Sequence, residues 1–442
     1  MPAVTTWTGR EANALRKALR MSVTAFAEHL GVARRTVAKW SSQGERVHPR
    51  AEMQSALDTV LARATPDVRE RFEALRGADA NGATAVSAQP NVDAVADTGG
   101  GGRSGSDGDV RRRDLLRRAA MGVAALPGVA PLLDALISPR PTDAPLSVAQ
   151  LARDVAAAKS AYQACRYEHV LDQLATLLPA LETTRASSDG DQRAEVEILT
   201  ADLYHTVGSV LLKVGDPQMA LIAAERSARA AAASHDPVTS ATSARIMTHA
   251  LSSNGHNDQA VALTGQAADA LERDSRLAST EAVAVYGALV LRGAVAAARR
   301  DDRDTAHAML DEASRAAARL GYDGNDRWTG FGATNVLLHR VNVALTLGDA
   351  GTAIAIARTV PLDKVTLAER KAALFVDVAR AYTQWGRYEQ GLSALRTAYD
   401  VAPEEVRCRP SVQRIAGDLA ARAKGSVYAA VVDFAQDTGI PI

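Results

Sequence analysis

Aromatic side chains are scarce in this sequence: Phe, Trp and Tyr make up 4% of 442 residues, although 47% are apolar and alanine supplies much of that fraction. The scarcity argues against a sandwich or barrel, whose strands draw on aromatic and β-branched residues. It favours closely packed helices instead. Cysteine is nearly absent. Cys165 and Cys408 lie far apart without a second ligand nearby, so neither a disulfide framework nor a zinc site is expected, and the usage fits a reducing compartment. Net charge is also missing: Lys plus Arg and Asp plus Glu number 51 each, so the total points to no partner. The longest apolar run, Ala119–Leu133, is broken by Pro127 and Pro131 and falls short of the roughly 20 residues that span a bilayer. The chain opens without a charged-then-apolar signal pattern. A cytoplasmic protein without a membrane partner is expected, and its length calls for two or more domains.

Catalytic signatures are lacking too. The chain has no Gly-x-Gly-x-x-Gly, Walker loop, His-Glu-x-x-His or Gly-x-Ser-x-Gly. Gly99–Ser106 is glycine-rich but lacks the lysine of a phosphate loop, and nine His residues are scattered without ligand spacing. No enzyme activity, cofactor or metal is expected.

What is present is unevenly placed. From Met1 to Arg63 ten basic residues face five acidic ones, a net of +5 on an otherwise balanced chain. A small basic module suggests a polyanion partner. Four organisational blocks follow: 1–76, 77–110, 111–146 and 147–442. The first reads as five short helices. Thr8 with Glu11 three residues on has the pattern of a capping box, Ser22 caps the next helix, Gly31 makes a turn, and helices follow near Ala33–Ser41 and Pro49–Ala62. Block 77–110 carries Gly99-Gly100-Gly101-Gly102 and no large apolar residue at a helical period. It is expected to be a flexible tether with a span of about 30 Å. The third block opens on Arg111-Arg112-Arg113-Asp114-Leu115-Leu116, and its basic residues run on to Arg118. That order imitates a twin-arginine export signal, but it lies behind the basic module. An amphipathic basic connecting segment is expected, with a membrane-surface or phosphate contact as the other reading.

From Leu146 onward a repeat emerges. Its clearest unit runs Phe375, Tyr382, Gly386-Arg387-Tyr388, Gly391, Leu395, Ala398 and Pro403. The same register gives Gly208, Gly215, Ala220 and Ala224, then Gly255, Ala260 and Ala267, then Ala294, Ala306, Leu310 and Ala313, then Gly348, Ala353 and Ala357. Tyr167, Val170 and Leu174 mark a weaker first unit. Small residues at these places let paired helices approach and neighbouring pairs stack.

Three resemblances follow. Val23–Trp40 resembles the helix-turn-helix of Cro/C1-type (XRE) repressors through Ala27, Gly31, Val32, Val37 and Trp40, departing from that family at Thr24 and Ser41. It implies that Val32, Val37 and Trp40 pack the recognition helix while Arg34, Arg35, Thr36 and Lys39 face DNA. Arg can pair bidentately with guanine, and Lys and Thr commonly hold phosphates. The repeat looks like a tetratricopeptide-type array of about six helical pairs, covering roughly residues 147 to 425. That likeness implies a concave face lined by the first helix of each pair. Carried over, its inward positions are Asp202, His205 and Ser209, then Arg245 and His249, Arg292, Asn335, His339 and Asn342, and Asp377 and Arg380. Asn335, His339 and Asn342 share one helical face. The Asn amides suit an extended peptide, and the Arg groups suit a carboxylate or phosphate; solvation in an open superhelix is the alternative. Trp328 and Phe331, beside this face, would either wall a pocket or plug the end of a pair. The stretch Phe331–His339 resembles actinobacterial regulators of this two-part build.

The expected protein is therefore all-α: a five-helix Cro/C1-type domain, a linker and a tetratricopeptide-like solenoid. The expected function is a sequence-specific, nucleoid-associated transcription regulator. Its array would bind a peptide, small molecule or protein, and would dimerise or change curvature to set two DNA-binding modules on an inverted-repeat operator with half-sites about 34 Å apart. Peptide-pheromone sensors, which join the same two domain types, resemble this plan. The alternative is a protein-interaction scaffold with secondary, weak DNA binding.

Overall fold

The computed structural model describes residues 7–78, apart from positions 20, 22, 31, 33, 50 and 65, and residues 126–442. The expected cap Ser22, the turn at Gly31, nearly all of block 77–110 and the basic segment Arg111–Arg118 lie outside the described residues. The chain divides into two compact units, Met1–Arg103 and Ser104–Ile442. Every described element of both is helical.

The first unit holds α1 (Gly9–Ala18), α2 (Val23–Leu30), α3 (Arg34–Gln43), a 3-10 turn (Gly44–Arg46), α4 (Ala51–Arg63) and α5 (Pro66–Ala78). Helix α5 thus runs through Gly77 and Ala78, two residues past the expected block boundary, because Phe72 anchors it against the ring of Trp7 at 5.7 Å. The Thr8–Glu11 capping box forms as the spacing predicts: the Thr8 amide donates to Glu11 Oε2 at 3.0 Å. Phe26, Ala27, Val37 and Trp40 are buried together. Helix α1 crosses so near α3 that a Cβ on Gly9 would fall 2.6 Å from the Trp40 carbonyl oxygen. Ser41 also joins the two helices, donating to Asn13 Oδ1 at 3.0 Å.

The second unit begins with α6 (Val129–Ile137), whose Leu132 and Leu136 are fully buried in the core of the first pair. The array's core therefore starts inside the block expected to be a connector. Six hairpins follow: α7 (Val148–Gln163) with α8 (Tyr167–Ser187), α9 (Gly190–Lys213) with α10 (Pro217–Ser234), α11 (Pro237–Ser253) with α12 (Asn257–Ser275), α13 (Thr280–Arg299) with α14 (Arg303–Leu320), α15 (Ala333–Thr346) with α16 (Ala350–Ala357), and α17 (Ala368–Gln384) with α18 (Tyr388–Val401). Helices α19 (Pro403–Cys408), α20 (Pro410–Arg422) and α21 (Gly425–Thr438) close the unit.

The repeat is most regular in its turns. Arg166, Asp216, His256, Asp302, Asp349 and Arg387 each donate a backbone N–H to the carbonyl five residues back, at 2.8–3.0 Å. These are the long bonds of a Schellman turn. The residue before each donor has positive φ: Gly215, Gly255, Gly348 and Gly386 lie at +88°, +85°, +89° and +75°. Cys165 and Asp301 fill the same place at +59° and +67°, a conformation that costs a non-glycine residue free energy. The small positions named from sequence pack as expected at Ala220, Ala224, Ala260, Ala294, Ala306, Ala313, Ala353 and Ala398, all buried. Ala267 and Ala357 are only half-buried.

Each inner helix, α7, α9, α11, α13, α15 and α17, packs on the next, and α17 packs back on α7. The pairs thus close into a ring instead of an open superhelix. Lys213 at the end of α9 donates to Glu369 on α17 at 2.5 Å and to Glu405 on α19 at 2.8 Å. Tyr167 Oη donates to the other oxygen of Glu405, and Gln163 exchanges hydrogen bonds with Asn325 at 3.0 and 2.8 Å. Helix α13 is long and apolar enough to cross a membrane, but 89% of that window is buried inside the unit, as befits an inner helix packed on both sides.

Candidate functional site

The inner helices line two adjoining, partly open cavities of about 50 and 150 Å³ that share Tyr162, His249, Arg292, Glu369 and Arg370. The smaller lies among α7, α9, α11, α13 and the first turn of α17, and the larger reaches α15 as well. A ring built from Ala-rich hairpins would ordinarily have an apolar centre. Here the inward positions are polar because each inner helix buries its apolar stripe against its own partner and its neighbours.

Of the residues expected on the concave face, His205, Ser209, Arg245, His249, Arg292 and Trp328 line the first cavity. Asn335, His339, Asn342 and Asp377 line the second together with His249 and Arg292. Two expectations need correction. Asp202 does not line either cavity; it is buried beneath the first one, paired with Lys159 at 2.8 Å. Arg380 is exposed and lies outside both linings, since it is one turn too far along α17. Asn342 is also not free for a peptide amide, because its Nδ2 donates to Asp377 Oδ2 at 2.9 Å.

The two candidate aromatics divide the alternatives between them. Phe331 is fully buried and plugs the ring against α13, so close that a Cβ on Gly287 would fall 1.9 Å from its Cζ. Trp328 walls the first cavity, with Lys159 Nζ 6.0 Å from its ring centroid. Arg327 and Trp328 both sit at positive φ, +48° and +60°. Such backbone persists where surrounding contacts hold it; here Arg327 Nη2 donates to Thr239 Oγ1 at 3.1 Å and lies 3.6 Å from Asp202.

Sequence reading missed Lys159, Tyr162, Lys213, Arg299, Arg327, Glu369, Arg370 and Arg409, which complete the two linings or ring closure. For Lys159 and Tyr162 the signal existed, since they stand three apart on the inner helix of the first pair. That pair's repeat markers, however, lie on its outer helix. Arg370 stands seven residues before Asp377 on the same face of α17, a periodicity that could have found it.

Hydrogen bonds fix the protonation of the histidines. His205 Nδ1–H donates to the Thr242 carbonyl at 3.1 Å, which leaves Nε2 to accept from Arg245 Nη2 at 3.0 Å. Burial and the nearby Arg245 and Lys159 push its pKa well below the usual value. His339 Nδ1–H donates to the Asn335 carbonyl at 3.0 Å, and burial with Arg292 and Arg370 lowers its pKa to about 3. His249 is likewise lowered, by burial and then by Arg292 and Arg299. Burial draws Lys159 down to about 8 against the opposing pull of Asp202. Burial alone would raise Glu369, but Arg370 and Lys213 hold it below the carboxylate range. Among the described residues no group of three His, Cys, Asp or Glu side chains is placed to hold a metal ion.

On α3, Val37 and Trp40 turn inward, Thr36 is half-buried and Lys39 is exposed. Arg34 and Arg35 occupy the first turn of the helix, and their side chains lie outside what the structure describes.

No family model matches the sequence. No curated protein matches it either. Among solved structures, the chain is similar to a Rap protein complexed with competence and sporulation factor, at 10% identity and a TM-score of 0.41, over 66% of this chain and 88% of that one. It is also similar to aspartyl phosphate phosphatase F from Bacillus subtilis, at 12% identity and a TM-score of 0.42, over 91% of this chain and 96% of that one.

Proposed function

We propose that this chain is a receptor-type regulator: the helical ring takes up a ligand in its interior, and α3 of the first unit carries the response to DNA. One observation carries the reading. Six inner helices spend inward positions on Lys159, His205, Arg245, Arg292, His339 and Glu369 around two cavities, Arg292 half-buried and the other five buried, whereas stability alone would favour well-packed apolar groups there. Such a lining supports recognition of a peptide, small molecule or protein segment. The DNA half rests on the Cro/C1-type pattern of Val23–Trp40 and the local excess of basic residues. A homodimer on an inverted-repeat operator belongs to the same proposal.

The test is recovery of genomic fragments by the full-length protein and by the Arg34→Ala, Arg35→Ala double variant. A shared inverted-repeat motif bound by the first and lost by the second supports the regulator. Salt-sensitive binding without any motif in either protein overturns it in favour of a protein-interaction array with secondary DNA binding.

A further inference from the structure

We infer that the ring's interior is an anion site, in which Arg245, Arg292 and Arg370 receive the carboxylate or phosphoryl head of a small ligand. The inference rests on the receptor reading and specifies its chemistry.

The argument begins with how the interior charges pair. Lys159 is matched by Asp202 at 2.8 Å. Lys213 is shared by Glu369 and Glu405, at 2.5 and 2.8 Å, and Arg409 adds a second cation to Glu405 at 2.6 Å. Arg370 takes the remaining side of Glu369 at 3.2 Å. Among the described residues no carboxylate comes within ion-pair distance of Arg245 or Arg292, although Asp202 keeps Oδ1 without a hydrogen bond and Asp377 lines the second cavity beside Arg292. Arg245 is 8% exposed, its one hydrogen bond goes to a neutral imidazole, and its Nε has no partner. Arg370 Nε is buried without a partner as well. Among the described residues no hydrogen bond or ion pair reaches the half-buried Arg292 guanidinium, which lines both cavities.

Burying a guanidinium without a paired carboxylate, as at Arg245, is costly, and crowding the half-buried Arg292 and Arg370 beside it adds repulsion; Arg does not escape by deprotonating near neutral pH. The strain shows in their acidity: burial and mutual repulsion draw Arg245 to about 9 and Arg292 to about 10. An oxyanion between them would relieve the repulsion and satisfy the open N–H donors, the pairing for which guanidinium geometry is suited. The three neutral histidines leave the cation excess intact without adding to it. Cavities of about 50 and 150 Å³ admit a head group of a few heavy atoms and exclude a nucleic-acid duplex, whose diameter exceeds the closed ring's interior.

The same chemistry could come from a phosphorylated metabolite or from the C-terminal carboxylate of a peptide. The experiment measures thermal shift and calorimetric binding of the full-length protein, at constant ionic strength, with three probes. These are inorganic phosphate, trialanine with a free carboxylate and trialanine amide. The expected result is saturable stabilisation by phosphate, by free trialanine or by both, with trialanine amide inert. Phosphate alone would identify a phosphoryl ligand, and free trialanine alone a peptide terminus. Arg292→Gln is expected to weaken that binding about tenfold or more, the loss of one charge-assisted contact. Because Arg292 holds no partner, the variant should also be at least as stable as wild type without ligand, so misfolding does not confound the test. Equal responses of wild type and Arg292→Gln overturn the inference. So does the absence of any response to both anions, and so does an unliganded variant markedly less stable than wild type. A response to trialanine amide equal to that of the free acid overturns the anion assignment while leaving the receptor reading standing.

Discussion

Lys213 and Glu405 stand 192 residues apart in the chain and 2.8 Å apart in space, and both are buried. Their contact joins the second hairpin to the helix that follows the sixth, so it closes the ring. Removing the ammonium with Lys213→Met would leave Glu369 and Glu405 sharing a buried site with one cation fewer. Breaking one side of such a pair costs about 3–5 kcal/mol, well above an exposed pair. Urea denaturation of the full-length protein checks this. A midpoint within error of wild type would show that Arg370 and Arg409 suffice to hold the two carboxylates.

Stability should fall as the solution becomes acidic, and the histidines give the window. His339 has a folded pKa of about 3 against about 6.5 in the unfolded chain. Between those values the unfolded chain binds a proton that the folded one excludes. The stabilisation is therefore complete above pH of about 6.5 and is lost progressively as pH falls toward 3. The groups facing His339 are Arg292, Arg370 and Glu369; below pH of about 4.5, protonation of Glu369, whose folded pKa is depressed, adds in the same sense. His339→Gln is expected to narrow the difference between urea midpoints at pH of about 7.5 and about 5 without abolishing it, because His205 and His249 are shifted the same way. Equal pH slopes in variant and wild type would remove His339 from this account.

The helical pairs were legible from sequence because their signals are local. A glycine at Gly215, Gly255, Gly348 and Gly386 marks the left-handed turn residue, and small residues such as Ala220 and Ala306 mark close helix approach. The polar inner face was legible in part for the same reason: Asn335, His339 and Asn342 repeat at helical spacing. The ring closure was not legible. It depends on Lys213, Glu369 and Glu405, whose partners lie 156 and 192 residues away, and no spacing rule connects them. The same long-range geometry turned an expected open groove into two partly open cavities inside the ring, left Arg380 outside them, and paired Asn342 with Asp377. Cys165 and Asp301 hide the turn in two pairs because they adopt the glycine conformation without being glycine.

Gly287 and Phe331 offer a test in which two effects of opposite sign compete. Gly287 lies inside α13, where alanine would ordinarily stabilise a helix by about 1 kcal/mol. The ring of Phe331 occupies the place of that methyl group, with Cζ 1.9 Å from the Cβ position. A clash of that depth inside a packed core costs about 1–3 kcal/mol or more, so Gly287→Ala is expected to destabilise despite its better propensity. Phe331→Leu alone removes ring volume from the same core and should also destabilise. In the double variant the methyl group enters space the ring has left, and the propensity gain returns. Gly287→Ala should therefore change sign or become neutral in the Phe331→Leu background, which urea denaturation of the four proteins would show as a coupling of at least about 1 kcal/mol. Strictly additive effects would mean that Phe331 can leave its place without cost, and that it is not the plug that the core between α13 and the loop before α15 requires.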